Sequence, residues 1–269
     1  MFPVDIISLT VWLLFLYYSF SYKVASRSIL LPVAAPVMDR RFLRGNDVPQ
    51  SSSVLFVRKD SSFHSFSDLY QSVFAFNEEN SLSGYHCMRF HIHCGDYPIP
   101  YFSRAVITGG HQLSLEALLC GEADCAAIDV DVVRRLRKNR LWRQKMMELR
   151  KVEDIVELGP YPAQPFVIPS HFNEKLVSRF QKALCSASAK ELKPLGWKRI
   201  VPVASDTYAP IDRLMEACKD KELICPKACR WNLEKDVSEN ERNEAVLRRS
   251  VRRKVIQFNE TKSHKRARC

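Results

Sequence analysis

Val73-Phe74-Ala75-Phe76, Ala105-Val106-Ile107-Thr108 and Cys125-Ala126-Ala127-Ile128-Asp129 are the stretches whose reading decides the fold of this 269-residue chain. Each is a short, nearly continuous apolar run, the form of a strand buried on both faces. Turn residues and a helical pattern follow each one. Asn77 to Gly84 follows the first strand, and Tyr85 to Ile92 is expected to wind as a helix. Gly109-Gly110-His111 follows the second, with Leu113, Leu115, Leu118 and Leu119 marking the apolar side of a helix stopped by Gly121. Asp129 ends the third, ahead of a helix through Val132, Val133 and Leu136. Strand, turn and helix in alternation predict an α/β protein with a parallel sheet and right-handed crossovers.

Ligands of such sheets lie beyond the carboxyl ends of the strands, where all three turns fall. The first offers two hydroxyls and a run of backbone N–H groups at a helix start. The second offers a hydroxyl, two backbones without Cβ and an imidazole. Unpaired N–H groups and the positive end of a helix favour an anion. Ser81, Leu82, Ser83, Gly84, Tyr85, Thr108, Gly109, Gly110, His111 and Asp129 are therefore the candidate ligand-binding residues. Each has a plainer reading, because Ser81, Ser83, His111 or Asp129 can simply cap a helix, worth about 1 kcal/mol. Three turns at equivalent strand ends favour the binding reading over three unrelated caps.

Other constellations carry less. His86, His91 and His93 with Cys87 and Cys94 invite a metal, but His86 and His91 are five apart, share no helix face and have no acidic neighbour, so none is expected. There is no G-x-S-x-G elbow and no P-loop lysine. A Ser83/His111/Asp129 hydrolase is imaginable, yet an oxyanion cradle explains those residues without a nucleophile; no catalytic residue and no cofactor are expected. Nine cysteines leave at least one unpaired. Cys87, Cys120, Cys125 and Cys185 sit in apolar runs and read as reduced core residues.

A composition of 46% hydrophobic and 26% charged residues excludes wholesale disorder and collagen-like or coiled-coil designs. The formal charge of +11 is uneven, for residues 241–269 hold 10 Lys/Arg against 3 Asp/Glu. The run from Val246 to Ile256 suits a basic amphipathic helix on an acidic surface or a nucleic-acid patch. The favoured reading is a solvated extension, so a nucleic-acid partner is not expected. Asn259-Glu260-Thr261 fits a glycosylation sequon. At the other end, uncharged Ile6 to Tyr22 reads as a membrane anchor, a secretory signal or a buried helix, with membrane contact favoured.

Taken in order, Phe66-Ser67-Asp68-Leu69, Phe74-Ala75-Phe76, Asn80 to Gly84, Thr108 to His111 and Gly121 to Asp129 resemble the phosphonate-type periplasmic solute-binding proteins of ABC transporters. The resemblance spans about Leu31 to Cys218. It implies a two-lobed type 2 periplasmic-binding-protein-like fold that closes on a ligand by hinge motion. Ser81, Ser83 and the Ser83–Gly84 backbone would hold phosphonate-like oxygens, with His111 opposite. Asp129 would meet an amino group or order the hinge. Val54 to Val57 would be the first crossing strand, Tyr161 to Ile168 would return the chain to lobe one, and Asn173 to Ser186 would pack there as a helix.

The family's opening strand–helix–strand unit has no counterpart, which implies an incomplete lobe one. The expected division is 1–30 apolar segment, 31–66 remnant of lobe one and first crossing, 67–158 lobe two with the anion-binding loops, 159–225 second crossing and return to lobe one, and 226–269 basic tail. The function implied is binding of a phosphonate, phosphite or phosphate for ABC-type transport or sensing. An ABC permease would be the partner, and the location periplasmic, extracytoplasmic or membrane-anchored. The alternatives are an enzyme acting on a phosphate-bearing substrate, or a membrane-attached interaction protein with an inert cleft.

Overall fold

The computed structural model describes residues 30–38, 48–152, 157–225 and 228–231. The chain divides into two compact units, residues 1–229 and 230–269, and every element named below lies in the first. The segment Ile6–Tyr22 and the basic tail from Glu241 lie outside the described residues. Among the described residues no helix is long and apolar enough to cross a membrane.

In chain order the elements are β1 (Leu30–Met38), β2 (Gln50–Arg58), β3 (Val73–Phe76), α1 (Cys87–Cys94), β4 (Arg104–Ile107), α2 (His111–Leu119), β5 (Cys125–Asp129), α3 (Val130–Leu136), α4 (Arg140–Lys145) and β6 (Leu149–Lys151). They continue with β7 (Leu158–Pro162), β8 (Phe166–Pro169), α5 (Glu174–Cys185), α6 (Ala189–Leu192), β9 (Trp197–Pro202) and α7 (Ala209–Ala217).

The three apolar runs form the parallel core of the larger sheet. β3 lies between β4 and β5, with Phe74 opposite Ala105 and Cys125. Phe74, Ala75, Ala126 and Ala127 have no exposed surface, as a sheet covered on both faces requires. Asp124 locks the β5 end, its Oδ2 accepting from the Val73 amide at 2.9 Å. On the far side of β5, β2 runs antiparallel, pairing Ser53 with Asp129 and Val57 with Cys125. β7 and β6 then pair with opposite halves of β2. Lobe two is thus a mixed sheet in the order β4-β3-β5-β2-β6.

Lobe one is a three-stranded antiparallel sheet in the order β8-β1-β9. Its main covering helix follows from the sequence of α5, with Leu192 of α6 joining the same core. Val177, Phe180 and Leu184 recur at helical spacing and pack on Val33, Ala34, Phe166, Ile168 and Ile200. Asn173 starts the helix, its side chain accepting from the Leu176 amide at 2.9 Å. Strand β1, which nothing in its mixed apolar pattern singled out, supplies the central position.

Four features depart from the expectations. The helix expected over Tyr85–Ile92 begins earlier, as a π-helical turn at Leu82–His86, because Ser81 caps it, and continues as α1 to Cys94. Strand β2, expected to cross between lobes at Val54–Val57, lies in the lobe-two sheet along its whole length. The expected 159–225 return to lobe one ends near residue 204. Tyr208, Ile211, Cys218, Leu223 and Ile224 join the core of Phe66, Phe74 and Phe102 instead, and the Leu223 and Ile224 carbonyls accept from Tyr101 and Phe102. Of the four cysteines expected in the core, Cys87 and Cys125 are buried and Cys185 is half-buried, whereas Cys120 is exposed. Cys120 is the C-cap of α2, one residue past the face that packs on the sheet.

Candidate functional site

A cavity of about 270 Å³ opens between the lobes. Lobe two contributes Ser51, Leu82, Ser83, His111, Asp129, Asp131, Val132 and Arg135. Pro36, Met38, Phe166 and Trp197 face them from lobe one, with Tyr161, Ala163, Gln164 and Pro165 on the connecting segment.

Ser83 is set from behind. Its carbonyl accepts from the Ser53 hydroxyl at 2.7 Å and from the Cys87 thiol at 2.8 Å. Because Ser53 has spent its one hydrogen there, the Tyr161 hydroxyl donates to Ser53 Oγ at 2.8 Å. One buried chain of hydroxyls therefore holds the peptide whose side chain lines the cavity. Ser81 does a different task, its Oγ accepting from the Gly84 amide at 3.0 Å as the helix cap. A Cβ on Gly84 would meet Asn77 Oδ1, so the Asn77 side chain would have to move to admit one.

Ser83 Oγ and His111 Nε2 lie 3.0 Å apart. His111 is the first residue of α2, where unpaired N–H groups gather. The loop before it is shaped by Gly109 at φ +84° and by Thr108, whose hydroxyl bonds Phe76 and Ser114. Burial is the main reason that the His111 ring holds its proton only below a pKa of about 4, opposed by the Ala127 backbone and reinforced by Arg135. The imidazole is neutral at physiological pH, with Nδ1 buried and lacking a hydrogen-bond partner.

Asp129 caps α3, accepting from the Asp131 amide at 2.7 Å. Burial pushes its carboxyl above the usual range, while the Asp131 and Val132 amides and Arg135 pull it down. Asp131 is pushed up to about 6 by burial and by Asp129, against its ion pair with Arg134 at 3.1 Å. Arg135 is exposed at the cavity edge, and its side chain makes no hydrogen bond or ion pair with a described residue.

Of the ten residues proposed from sequence, Leu82, Ser83, His111 and Asp129 line the cavity. Ser81, Gly84, Thr108, Gly109 and Gly110 form the loops that place them. Tyr85 turns away, packing on Phe76 with ring centres 4.6 Å apart and beneath Arg89. His111 stands beside Ser83 rather than opposite it. The histidines considered for a metal disperse among other partners, with His93 near Lys221 and His91 edge-on to Phe66.

Comparison with known proteins fits this arrangement. The family model for the periplasmic substrate-binding protein of phosphonate ABC transporters matches residues 24–208. The chain belongs to this family. Among solved structures, a binding-protein component of an ABC phosphonate transporter from Pseudomonas aeruginosa superposes with a TM-score of 0.59 at 16% identity, covering 88% of this chain and 80% of that one. A Prochlorococcus marinus protein crystallised with methylphosphonate gives a TM-score of 0.57 at 18% identity, covering 70% of each chain. At those identities the likeness is one of fold, the type 2 periplasmic-binding fold. No curated protein matches the chain by sequence.

For a substrate-binding protein the residues that sequence reasoning passed over are informative. Ser53 and Tyr161 are far apart in sequence, and only the β2–β7 pairing brings them together. Asp131 and Arg135 sit two and six residues past Asp129, and the start of α3 turns both toward the cavity. The aromatic wall of Phe166 and Trp197 comes from β8 and β9, whose ring centres lie 6.0 Å apart.

Proposed function

We propose that this chain binds a small oxyanion of the phosphonate, phosphite or phosphate type in the interlobe cavity, as the solute-capturing component of an ABC-type transporter and without catalysis. One observation carries the reading: the Ser83 hydroxyl and a neutral His111 sit in hydrogen-bond contact at the starts of two helices and line the same cavity. An anion selects the tautomer with the proton on Nε2, so that the imidazole donates to Ser83 Oγ and the hydroxyl donates to the ligand. The two helix starts add backbone N–H groups and positive potential without a bound cation.

Asp129 and Asp131 on the same wall limit the ligand's charge. Their ionised forms repel an anion, offset by Arg134 and Arg135. A monoanion is favoured over a dianion, and a cationic group on the ligand would face these carboxylates. The aromatic and apolar wall from lobe one would cover the organic part or exclude water above the oxyanion. Family membership supports an extracytoplasmic setting and a permease as the partner that receives the ligand.

The test is calorimetric titration of folded protein with methylphosphonate, phosphite and phosphate. Binding of at least one at a single site supports the proposal, and a flat titration across all three refutes it. Turnover of a phosphate ester that disappears in His111→Ala would move the reading to an enzyme.

A further inference from the structure

The segment from Arg134 to Lys151 holds nine Lys/Arg and one acidic residue, Glu148. Only two of its cations find carboxylates among the described residues, Arg134 on Asp131 and Lys145 on Glu116. The side chains of Arg137, Arg140 and Lys151 are exposed and make no hydrogen bond or ion pair with a described residue. Arg143 Nε donates to the Arg137 carbonyl and an Arg150 guanidinium nitrogen to the Ser61 carbonyl, and Arg143 makes no ion pair with a described residue.

Four of these cations line a shallow depression of about 510 Å³. Its lining among the described residues is Arg137, Arg143, Arg150 and Lys151 together with Phe56, Met146, Met147 and Leu149, none of them acidic. Met147 and, on the adjoining helix α4, Leu141 are 70% and 60% exposed, the two most exposed large apolar side chains among the described residues. Cations alone are a common solvated face. Cations interleaved with protruding aliphatic groups are the composition of a surface that sits at a lipid interface, with apolar tips below the headgroups and guanidinium groups among the phosphates. A nucleic acid fits less well, since single strands stack on exposed aromatic rings, and the one aromatic residue of the segment, Trp142, is buried beneath Lys145.

We infer that the α3–α4–β6 face docks on an anionic phospholipid surface through Arg137, Arg140, Arg143 and Lys151, with Leu141 and Met147 as the inserted groups. The face is separate from the interlobe cavity, so the docked protein keeps its ligand site.

The test is co-sedimentation of the full chain with vesicles of phosphatidylcholine alone or with 30% phosphatidylglycerol, at low and at high salt. Wild type is expected to partition to the anionic vesicles and to be released by salt. Arg140→Glu with Arg143→Glu lowers the partition coefficient at least about tenfold, and Leu141→Asp with Met147→Asp lowers it several-fold. Unchanged thermal unfolding would show that these exposed substitutions leave the fold intact. Three results overturn the inference: no binding of wild type to anionic vesicles, equal binding to neutral vesicles, or equal binding of both double variants and wild type. Binding to duplex DNA with none to vesicles would assign the face to a different polyanion and equally overturn it.

Discussion

Ser83→Ala removes one atom from the contact on which the proposed ligand capture depends. In the ligand-free protein it strips His111 Nε2 of its 3.0 Å partner, and Nδ1 of the same ring already has none. A buried polar ring without partners costs about 1–3 kcal/mol of stability. In the complex it deletes a hydrogen bond to a charged oxygen, worth about 1.5–3 kcal/mol, or roughly 10- to 150-fold in Kd. His111→Phe leaves Ser83 its hydroxyl but removes the imidazole behind it, so affinity falls again. If the imidazole acts through the hydroxyl, the losses overlap, and the double variant binds no more than about tenfold worse than the weaker single variant. Stability shows the same coupling, because Ala beside Phe replaces a broken polar pair with an apolar one. Urea unfolding and calorimetry with methylphosphonate on the four proteins give both cycles. Affinity of Ser83→Ala within about threefold of wild type would refute the contact with ligand, and fully additive losses would refute the relay.

Gly84→Ala drives a Cβ into Asn77 Oδ1, so the buried Asn77 side chain or the turn that carries Ser83 must shift. The expected destabilisation is about 1–3 kcal/mol, with weakened anion binding, read by the same two assays. Gly196 holds φ +74° in the turn before β9, and its bare Cα packs on the Arg134 guanidinium across the lobes. Gly196→Ala adds about 1 kcal/mol of backbone strain and separates the lobes. Small-angle scattering would then report a more open protein in the absence of ligand. His111 also carries a pH signature. Its pKa falls from 6.5 to about 4 on folding, chiefly by burial, so below pH 6.5 the unfolded chain binds a proton that the fold refuses. The contribution is present above 6.5 and lost as pH falls toward 4. His86, held near 3 by burial, acts in the same direction. Asp131, raised to about 6, acts in the opposite one, losing stability as pH rises through 6. The difference between wild type and His111→Gln isolates one proton, a change in slope of about 1.4 kcal/mol per pH unit between 6.5 and 4. Equal slopes would show that His111 titrates normally.

The parallel core was legible because burial on both faces leaves a local signature. Val73–Phe76 and Cys125–Ile128 are apolar at every position, and the polar residues that follow mark where each strand leaves the sheet. The starts at Asp129 and Asn173 were legible for a similar reason, since each side chain satisfies an amide two or three residues ahead, whereas the Ser81 cap started its helix earlier than the apolar pattern indicated. Pairings between distant segments leave no such mark. Nothing near β1 announces that it lies between β8 and β9, because its partners are more than 100 residues away. The hydroxyl chain from Tyr161 through Ser53 to the Ser83 carbonyl depends on the same kind of long-range register. The return of residues 205–225 to lobe two was hidden because the amphipathic pattern of α7 shows that one face is buried, not against which lobe. The basic α3–α4 segment is a charge run that sequence reasoning passed over beside the more basic tail, and only the exposure of Leu141 and Met147 gives it a direction.

A crystal structure of the protein grown with methylphosphonate tests the central claim most directly. The account predicts a phosphonate group in the interlobe cavity, with one oxygen within hydrogen-bond reach of Ser83 Oγ and others against the backbone N–H groups that start the two helices. A cavity that stays empty while the ligand sits elsewhere, on the basic α3–α4 face for example, would contradict it.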